Sequence, residues 1–393
     1  MTVPVGYLWS VAIIALGTLL TLRPVRHPRP LARLSFFCGV VVGELPFVAF
    51  YWLLASTLLA LADGDVSSAG GLAVLGFAAL TTAGLAAVVL QELRSGPAIE
   101  RATRHELGTG PVRASRGRGH GRPPSGRSLA RVLLTPFPLW SRDVERIANI
   151  SYGEAGRANR LDLYRHRSHP AGAPVLIHFH GGHFQMGGKS REARAIFRRL
   201  AGQGWLCVSS NYRLREAGRF PNSLIDAKQA IAWARRHAAQ YNADPAVLFV
   251  AGSSAGAHLA SMAALTPNHP AFQPGFEHEN TSVTAAVCLY GYYGSRDLTG
   301  TLPSSPSAYA HADAPPFFIA HGTNDTVAPV KGAAQFAQEL RRASSSPVVY
   351  AQLPRAQHGF DLFRSLRLER VIDGLEAFTT WVRHSRPSVR QPD

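Results

Sequence analysis

The sequence predicts an α/β fold, with a mostly parallel central sheet flanked by helices, preceded by three transmembrane α-helices. Three observations predict it. The first ninety residues contain three long apolar runs almost free of charge. From about Val144 onward, short apolar strand patterns alternate with helical ones, the signature of strands buried on both faces of a sheet. Within that alternation one strand, Val247 to Val250, runs into Gly252-Ser253-Ser254-Ala255-Gly256 and then a helical pattern. Strand, sharp turn and helix are the context a G-x-S-x-G motif needs to present its central serine.

The runs Val5–Leu22, Phe36–Ala62 and Gly70–Leu90 each approach or exceed the roughly 18–20 residues that cross a hydrocarbon core. Met1 to Gly6 carries no Lys or Arg, which argues against a cleaved signal peptide. The loop between the first two runs holds Arg23, Arg26, Arg29 and Arg33, whereas the second loop holds only Asp63 and Asp65. The third run is followed by Arg94, Arg101 and Arg104, so the positive-inside rule puts the first loop and all that follows Leu90 in the cytoplasm. Glu44 lies near the cytoplasmic end of its run, where it is expected to reach the interface or an Arg of the first loop. Pro46 is expected to kink that helix or mark its start.

Residues 94–143 read as a basic linker between a membrane region, 1–93, and a catalytic domain, 144–386, with a tail at 387–393. The centre of the linker, Thr109 to Arg127, is mostly Gly, Arg, Pro and Ser without an acid, and cannot bury a core. The formal net charge of +16 is spread over many Arg and accompanied by no nucleic-acid-binding signature, so no nucleic acid is expected. Cys38, Cys207 and Cys288 lie in apolar runs and imply buried thiols rather than a disulfide framework.

In the catalytic domain, strands are expected at Leu161–Tyr164, Pro174–Phe179, Trp205–Ser209, Val247–Val250, Thr284–Tyr290, Pro316–Ala320 and Val348–Leu353. Helices fill Arg191–Leu200, Ser223–Tyr241, Gly332–Arg342 and Leu366–His384. Ligands of such sheets bind beyond the C-terminal ends of the strands. Three residues sit there in the chain order Ser254, Asp325, His358, the order of nucleophile, acid and base in this strand–turn–helix context. His358 would take the proton of Ser254, and Asp325 would orient the imidazole. Asp226 and Asp244 read as structural, Asp361 is too close to His358 in sequence, and Asp297 is a reserve. His178, His180 and His183 are spaced like metal ligands, but Gly181-Gly182 interrupts them and no acidic or Cys partner lies nearby, so neither metal nor cofactor is expected. The glycines instead suit an oxyanion loop of backbone N–H donors, with His180 holding its shape.

The pieces His180-Gly181-Gly182, Asn211-Tyr212-Arg213-Leu214, Phe220-Pro221, Gly252 to Gly256, His321 to Asp325 and His358-Gly359-Phe360 together resemble the serine esterases of the α/β-hydrolase superfamily. The likeness is to hormone-sensitive-lipase-like and BD-FAE-like carboxylesterases, with kynurenine formamidases as relatives, and covers the catalytic domain only. It implies a nucleophile Ser254, an acid Asp325 and a base His358, with oxyanion donors at Gly182, His183 and Ala255 and a turn shaped by Gly181. Many relatives carry a third glycine where this chain has His183, whose imidazole should crowd the pocket. The short stretch Tyr293–Pro315 leaves little room for a lid, so the site should be open. The expected activity is a membrane-anchored carboxylesterase or lipase acting on lipophilic esters at the bilayer. An amidase or formamidase with the same three residues, or an inactive membrane scaffold, are the alternatives. Transport is a poor further alternative, since three spans with a single acid offer little pathway.

Overall fold

The computed structural model describes residues 3–109, 130, 132, 133, 137, 142–298 and 300–385. The linker stretch 110–127, most of 128–141 and the tail 387–393 lie outside the described residues.

The N-terminal region holds α1 (Val5–Leu22), α2 (Arg29–Glu44), α3 (Pro46–Ala62) and α4 (Ala69–Leu93). Helices α1 and α4 are each long and apolar enough to cross a membrane. The expected second span, 36–62, is not one helix: α2 and α3 meet at an 88° bend. Leu45, at φ −127° and ψ 47°, leaves the helical region, and Pro46 has no N–H to carry the ladder across, so a new helix starts there. Small residues let these helices approach closely. A methyl at Gly84 would lie 2.9 Å from Thr18 Cγ2, and one at Gly17 3.2 Å from Val42 Cγ2.

Residues 94–107, assigned to the linker by the sequence, are ordered structure. Ser95–Leu107 forms α5, which lies against the catalytic domain. Its Ile99 and Leu107 are buried in the same cluster as Phe318, Leu375 and Phe378, and Arg341 reaches Glu106 at 2.6 Å. The apolar positions at i and i+8 on an otherwise charged helix explain why composition alone reads as linker.

The catalytic domain is built on an eight-stranded sheet of order β1-β2-β4-β3-β5-β6-β7-β8. Its strands are β1 (Val144–Ser151), β2 (Arg160–His166), β3 (Ala173–Phe179), β4 (Leu206–Ser210), β5 (Ala243–Ser253), β6 (Ala285–Leu289), β7 (Phe317–Gly322) and β8 (Val348–Leu353). β1, β2 and β4 pair antiparallel; every other neighbour is parallel. The helices are α6 (Arg194–Ala201), α7 (Asn222–His237), α8 (Ala255–Leu265), α9 (Val330–Ala343) and α10 (Leu366–Ser385). Alternation along β5 divides the core: Leu248 and Val250 face α7, α8 and α9, while Phe249 and Ala251 face α5, α6 and α10.

The two regions meet at a buried polar junction. Glu44 accepts from Arg367 Nη1 and from Ser365 Oγ (2.6 Å), and all three side chains are buried. This corrects the expected location of Glu44, which neither reaches solvent nor meets an Arg of the first loop. Its partner comes from α10, so only the tertiary fold reveals it. Arg355 Nη1 also donates to the Leu22 carbonyl at the end of α1 (2.9 Å).

Removing one member of such a pair leaves a buried charge uncompensated, at about 3–5 kcal/mol. Glu44→Ala is therefore expected to lower the thermal transition of the detergent-solubilised protein by several degrees. Arg367→Met should lower it further, because it strips the countercharge from both Glu44 and the buried Glu92 beside it.

Candidate active site

The turn after β5 places Ser254 at φ 55° and ψ −117°, a left-handed backbone at the head of α8. Two close approaches enforce it. A methyl at Gly252 would lie 2.1 Å from the Gly256 carbonyl carbon, and one at Gly256 would lie 1.9 Å from the Phe179 carbonyl oxygen. The Ser254 N–H donates to the Leu289 carbonyl at 2.9 Å, pinning the turn to the neighbouring strand. Ala255 begins α8, so its N–H has no acceptor within the helix.

Ser254, Asp325 and His358 come together beyond the strand ends. His358 Nε2 lies 2.8 Å from Ser254 Oγ, and His358 Nδ1 lies 2.7 Å from Asp325 Oδ2. With Nδ1 donating to the carboxylate, Nε2 is left to accept the serine proton. The other oxygen of Asp325 accepts from the N–H groups of Val327 (2.8 Å) and Ala328 (2.7 Å). Burial alone would raise the Asp325 carboxyl, but hydrogen bonds from His321 and His358 hold it well below the usual carboxylate range. In the sequence His321 stands out only as the first residue of the His321–Asp325 motif, without a role of its own. Its Nε2 donates to the Ala328 carbonyl (2.7 Å) and lies 3.2 Å from Asp325 Oδ2, bracing the acid from behind. The signal was its spacing: four residues before the acid, at the end of the same strand.

The rival acids are engaged elsewhere. Asp226 binds the Arg213 N–H (2.7 Å) and guanidinium, Asp244 caps a turn through Ala246 N–H (2.8 Å), and Asp297 accepts from Gly300 N–H (3.0 Å). Asp361 is the informative one. It accepts from Ser253 Oγ (2.6 Å) and from Tyr290 OH, directly beneath the serine turn. Tyr290 in turn packs edge-on against the His358 ring, with centroids 4.6 Å apart. Burial pushes the Asp361 carboxyl up from its ordinary range.

Gly181, Gly182 and His183 follow β3 and pass over Ser254. A methyl at Gly181 would lie 3.0 Å from Ser254 Cβ. Gly182 has φ 124° and its Cβ would meet the Met186 carbonyl at 1.9 Å, so only glycine fits there. The Gly181 N–H donates to the buried Glu192 carboxylate, a further residue the sequence did not reveal. His180 Nδ1 donates to the Gly181 carbonyl (2.7 Å), and its ring stacks on Tyr212 at 4.4 Å. His178 Nε2 is bound to Ser253 Oγ (3.0 Å). His178 and His180 are thus engaged with different partners, and among the described residues no group of three or more His, Cys, Asp or Glu is arranged to hold a metal ion.

Beside Ser254 opens a cavity of about 370 Å³, lined by His183, Phe184, Gln185, Tyr292, Arg296, Val327 and Ala328. This is near the lower end of small-molecule sites. His183, one of its lining residues, is exposed. Tyr292 and Arg296 come from the stretch after β6. The Arg296 guanidinium lies 3.3 Å from the centre of the Phe184 ring and donates to Ser223 Oγ (2.7 Å), so burial lowers it to about 10 without leaving it unpartnered.

The BD-FAE family model matches residues 161–303. LipM of Mycobacterium tuberculosis, a probable carboxylic ester hydrolase, is 36% identical over an alignment covering 99% of this chain and 96% of LipM. The protein belongs to the α/β-hydrolase carboxylesterases. The esterase LipQ of the same organism is 38% identical over 60% of this chain and 62% of LipQ. Esterase 2 of Thermogutta terrifontis superposes with a TM-score of 0.54 at 25% identity, covering 64% of this chain and 99% of that structure. The LipM alignment includes the N-terminal helices, whose residues make up the first quarter of this chain.

Three buried imidazoles around this carboxylesterase site make stability depend on pH. Burial pushes His178 down to about 3, His180 to about 4 and His258 to about 3, against 6.5 for an unburied imidazole. Below that value the unfolded chain takes up protons the native fold refuses. The stabilisation is full above pH 6.5 and is lost as pH falls toward 3–4. The stability that wild type holds relative to His180→Asn should therefore shrink on acidification across that window, read as the difference between their thermal transitions. A difference that does not change with pH there would contradict a buried neutral His180.

Proposed function

We propose that the protein is a membrane-anchored serine carboxylesterase whose reaction runs through Ser254, His358 and Asp325. The observation that carries this is the continuous hydrogen-bonded line from Ser254 Oγ through both nitrogens of His358 to Asp325. Ser254 attacks the ester carbonyl and passes its proton to His358 Nε2. Asp325, fixed by two backbone N–H groups and His321, stabilises the imidazolium without taking the proton. The tetrahedral oxyanion is received by the N–H groups of Gly182, His183 and Ala255, held in place before substrate arrives. His358 protonates the leaving alcohol, and water cleaves the acyl-enzyme by the same steps in reverse order.

Anchoring rests on α1 and α4, whose outward faces carry Trp9, Ile13, Leu16, Leu72 and Leu80 in exposed positions. Apolar side chains at that density are unfavourable in water and favourable in hydrocarbon. The C-terminal end of α1, the Arg-rich loop 23–28 and α5 all lie on the catalytic-domain side, which supports a cytoplasmic active site by the positive-inside rule. The substrate is a lipophilic ester. The modest cavity accepts a short acyl group, with any longer part of the molecule outside it.

Hydrolysis of a p-nitrophenyl ester series, acetate to palmitate, by detergent-purified protein tests the reading. Activity should be highest for short acyl chains and absent in Ser254→Ala. Asp325→Asn should lower kcat by roughly 10⁴-fold while leaving the thermal transition measurable. Undiminished turnover in Ser254→Ala would overturn the assignment.

A further inference from the structure

The bend between α2 and α3 leaves α2 with no place among the spans, and its surface shows where it lies. Along α2, Leu31, Leu34, Phe37 and Val41 are all exposed and recur at helical spacing, forming one apolar stripe. The opposite face is buried and small: Ser35, Gly39, Val40, Val42 and Gly43. That face touches both halves of the molecule. Ser35 Oγ accepts from Val25 N–H (2.9 Å), and Thr21 Oγ1 donates to the Cys38 carbonyl (3.1 Å), which ties α2 to the last turns of α1. Gly39 lies against the residue before the catalytic histidine, since a methyl there would sit 3.2 Å from Gln357 Cγ. Gln357 Oε1 in turn accepts from the backbone N–H groups of His358 (2.9 Å) and Thr326 (2.8 Å).

We infer that α2 lies in the plane of the bilayer surface, with its Leu31–Leu34–Phe37–Val41 stripe sunk among lipid and its other face carrying the His358 loop. The inference rests on the membrane reading of α1 and α4. Three observations point to lipid as the occupant of the stripe. Helix α2 crosses α3 at 88°, so when α3 follows the bilayer normal α2 runs parallel to the surface. The stripe continues, at the chain's own junctions, into exposed apolar residues at the adjoining ends of both neighbours, Leu16 and Leu19 on α1 and Val48, Tyr51 and Trp52 on α3. Tyr and Trp there suit the headgroup level. Arg23, Arg26, Arg29 and Arg33 are exposed on and just before the first turn of α2, matching anionic headgroups. The 17 residues of α3 then rise about 26 Å at 1.5 Å each, close to a hydrocarbon core.

The test uses the full chain in phosphatidylcholine–phosphatidylglycerol vesicles. Cys38→Ser removes the one half-exposed thiol; Cys207 and Cys288 are buried. In that background Leu34→Cys, Phe37→Cys and Val41→Cys are each spin-labelled, checked for an unchanged thermal transition, and read for depth by oxygen against a nickel chelate. An in-plane helix places all three labels at one depth, roughly 5–10 Å below the headgroups. A depth rising by about 10 Å from 34 to 41, as a spanning helix requires, would overturn the inference. So would three water-exposed labels. Leu80→Cys on α4 separates the two readings: it should sit deep in hydrocarbon, and a water-exposed label there would remove the membrane anchoring itself.

Discussion

The backbone of Ser254 is the constraint on which the rest of the site depends. A residue at φ 55° and ψ −117° holds an unfavourable conformation, which costs about 1–3 kcal/mol and persists only where its surroundings over-determine it. Here they do. The Leu289 carbonyl fixes the N–H, and the glycines at 252 and 256 let α8 and β3 close to distances no side chain would allow. The result sets the Ser254 hydroxyl against His358 Nε2. The Ser253–Asp361–Tyr290 group beneath the turn ties it to the loop that bears His358, so Ser254 and His358 are positioned by one buried network.

The same loop is also where the catalytic domain meets the N-terminal helices. Gln357 packs on α2, Arg355 binds the end of α1, and Arg367 closes on Glu44. The N-terminal helices thus pack directly on the catalytic domain. Its helices support the elements that follow β8, and α5 extends the contact along α10. A buried ion pair adds little net stability over an apolar one, but it fixes which surfaces meet.

Much of this was legible in the sequence, for physical reasons. Buried parallel strands are continuous apolar runs, and β3 to β8 were placed to within a few residues of where they lie. The residues brought together as Ser254, Asp325 and His358 were identifiable because a doubly wound sheet collects strand ends at one edge. What the sequence concealed depends on tertiary contact. β1 is an edge strand with polar Glu145, Arg146 and Asn149 on a half-exposed surface, so it lacks the apolar run that marks its neighbours. Glu192 and Asp361 act through burial and hydrogen bonds to residues that folding brings near, which no local pattern records. Glu44 looked like an interfacial residue because its partner is on the last helix. The break at Leu45–Pro46 was signalled by the proline, but its 88° angle was not.

The central claim is that Ser254 is made nucleophilic by His358. An alkyl phosphonate carrying a p-nitrophenyl leaving group, incubated with the purified protein and followed by peptide mass spectrometry, tests it most directly. The account predicts a single adduct, on the peptide containing Ser254, absent in Ser254→Ala and slowed by orders of magnitude in His358→Ala. An adduct on another residue, or equal labelling rates with and without the His358 imidazole, would contradict it.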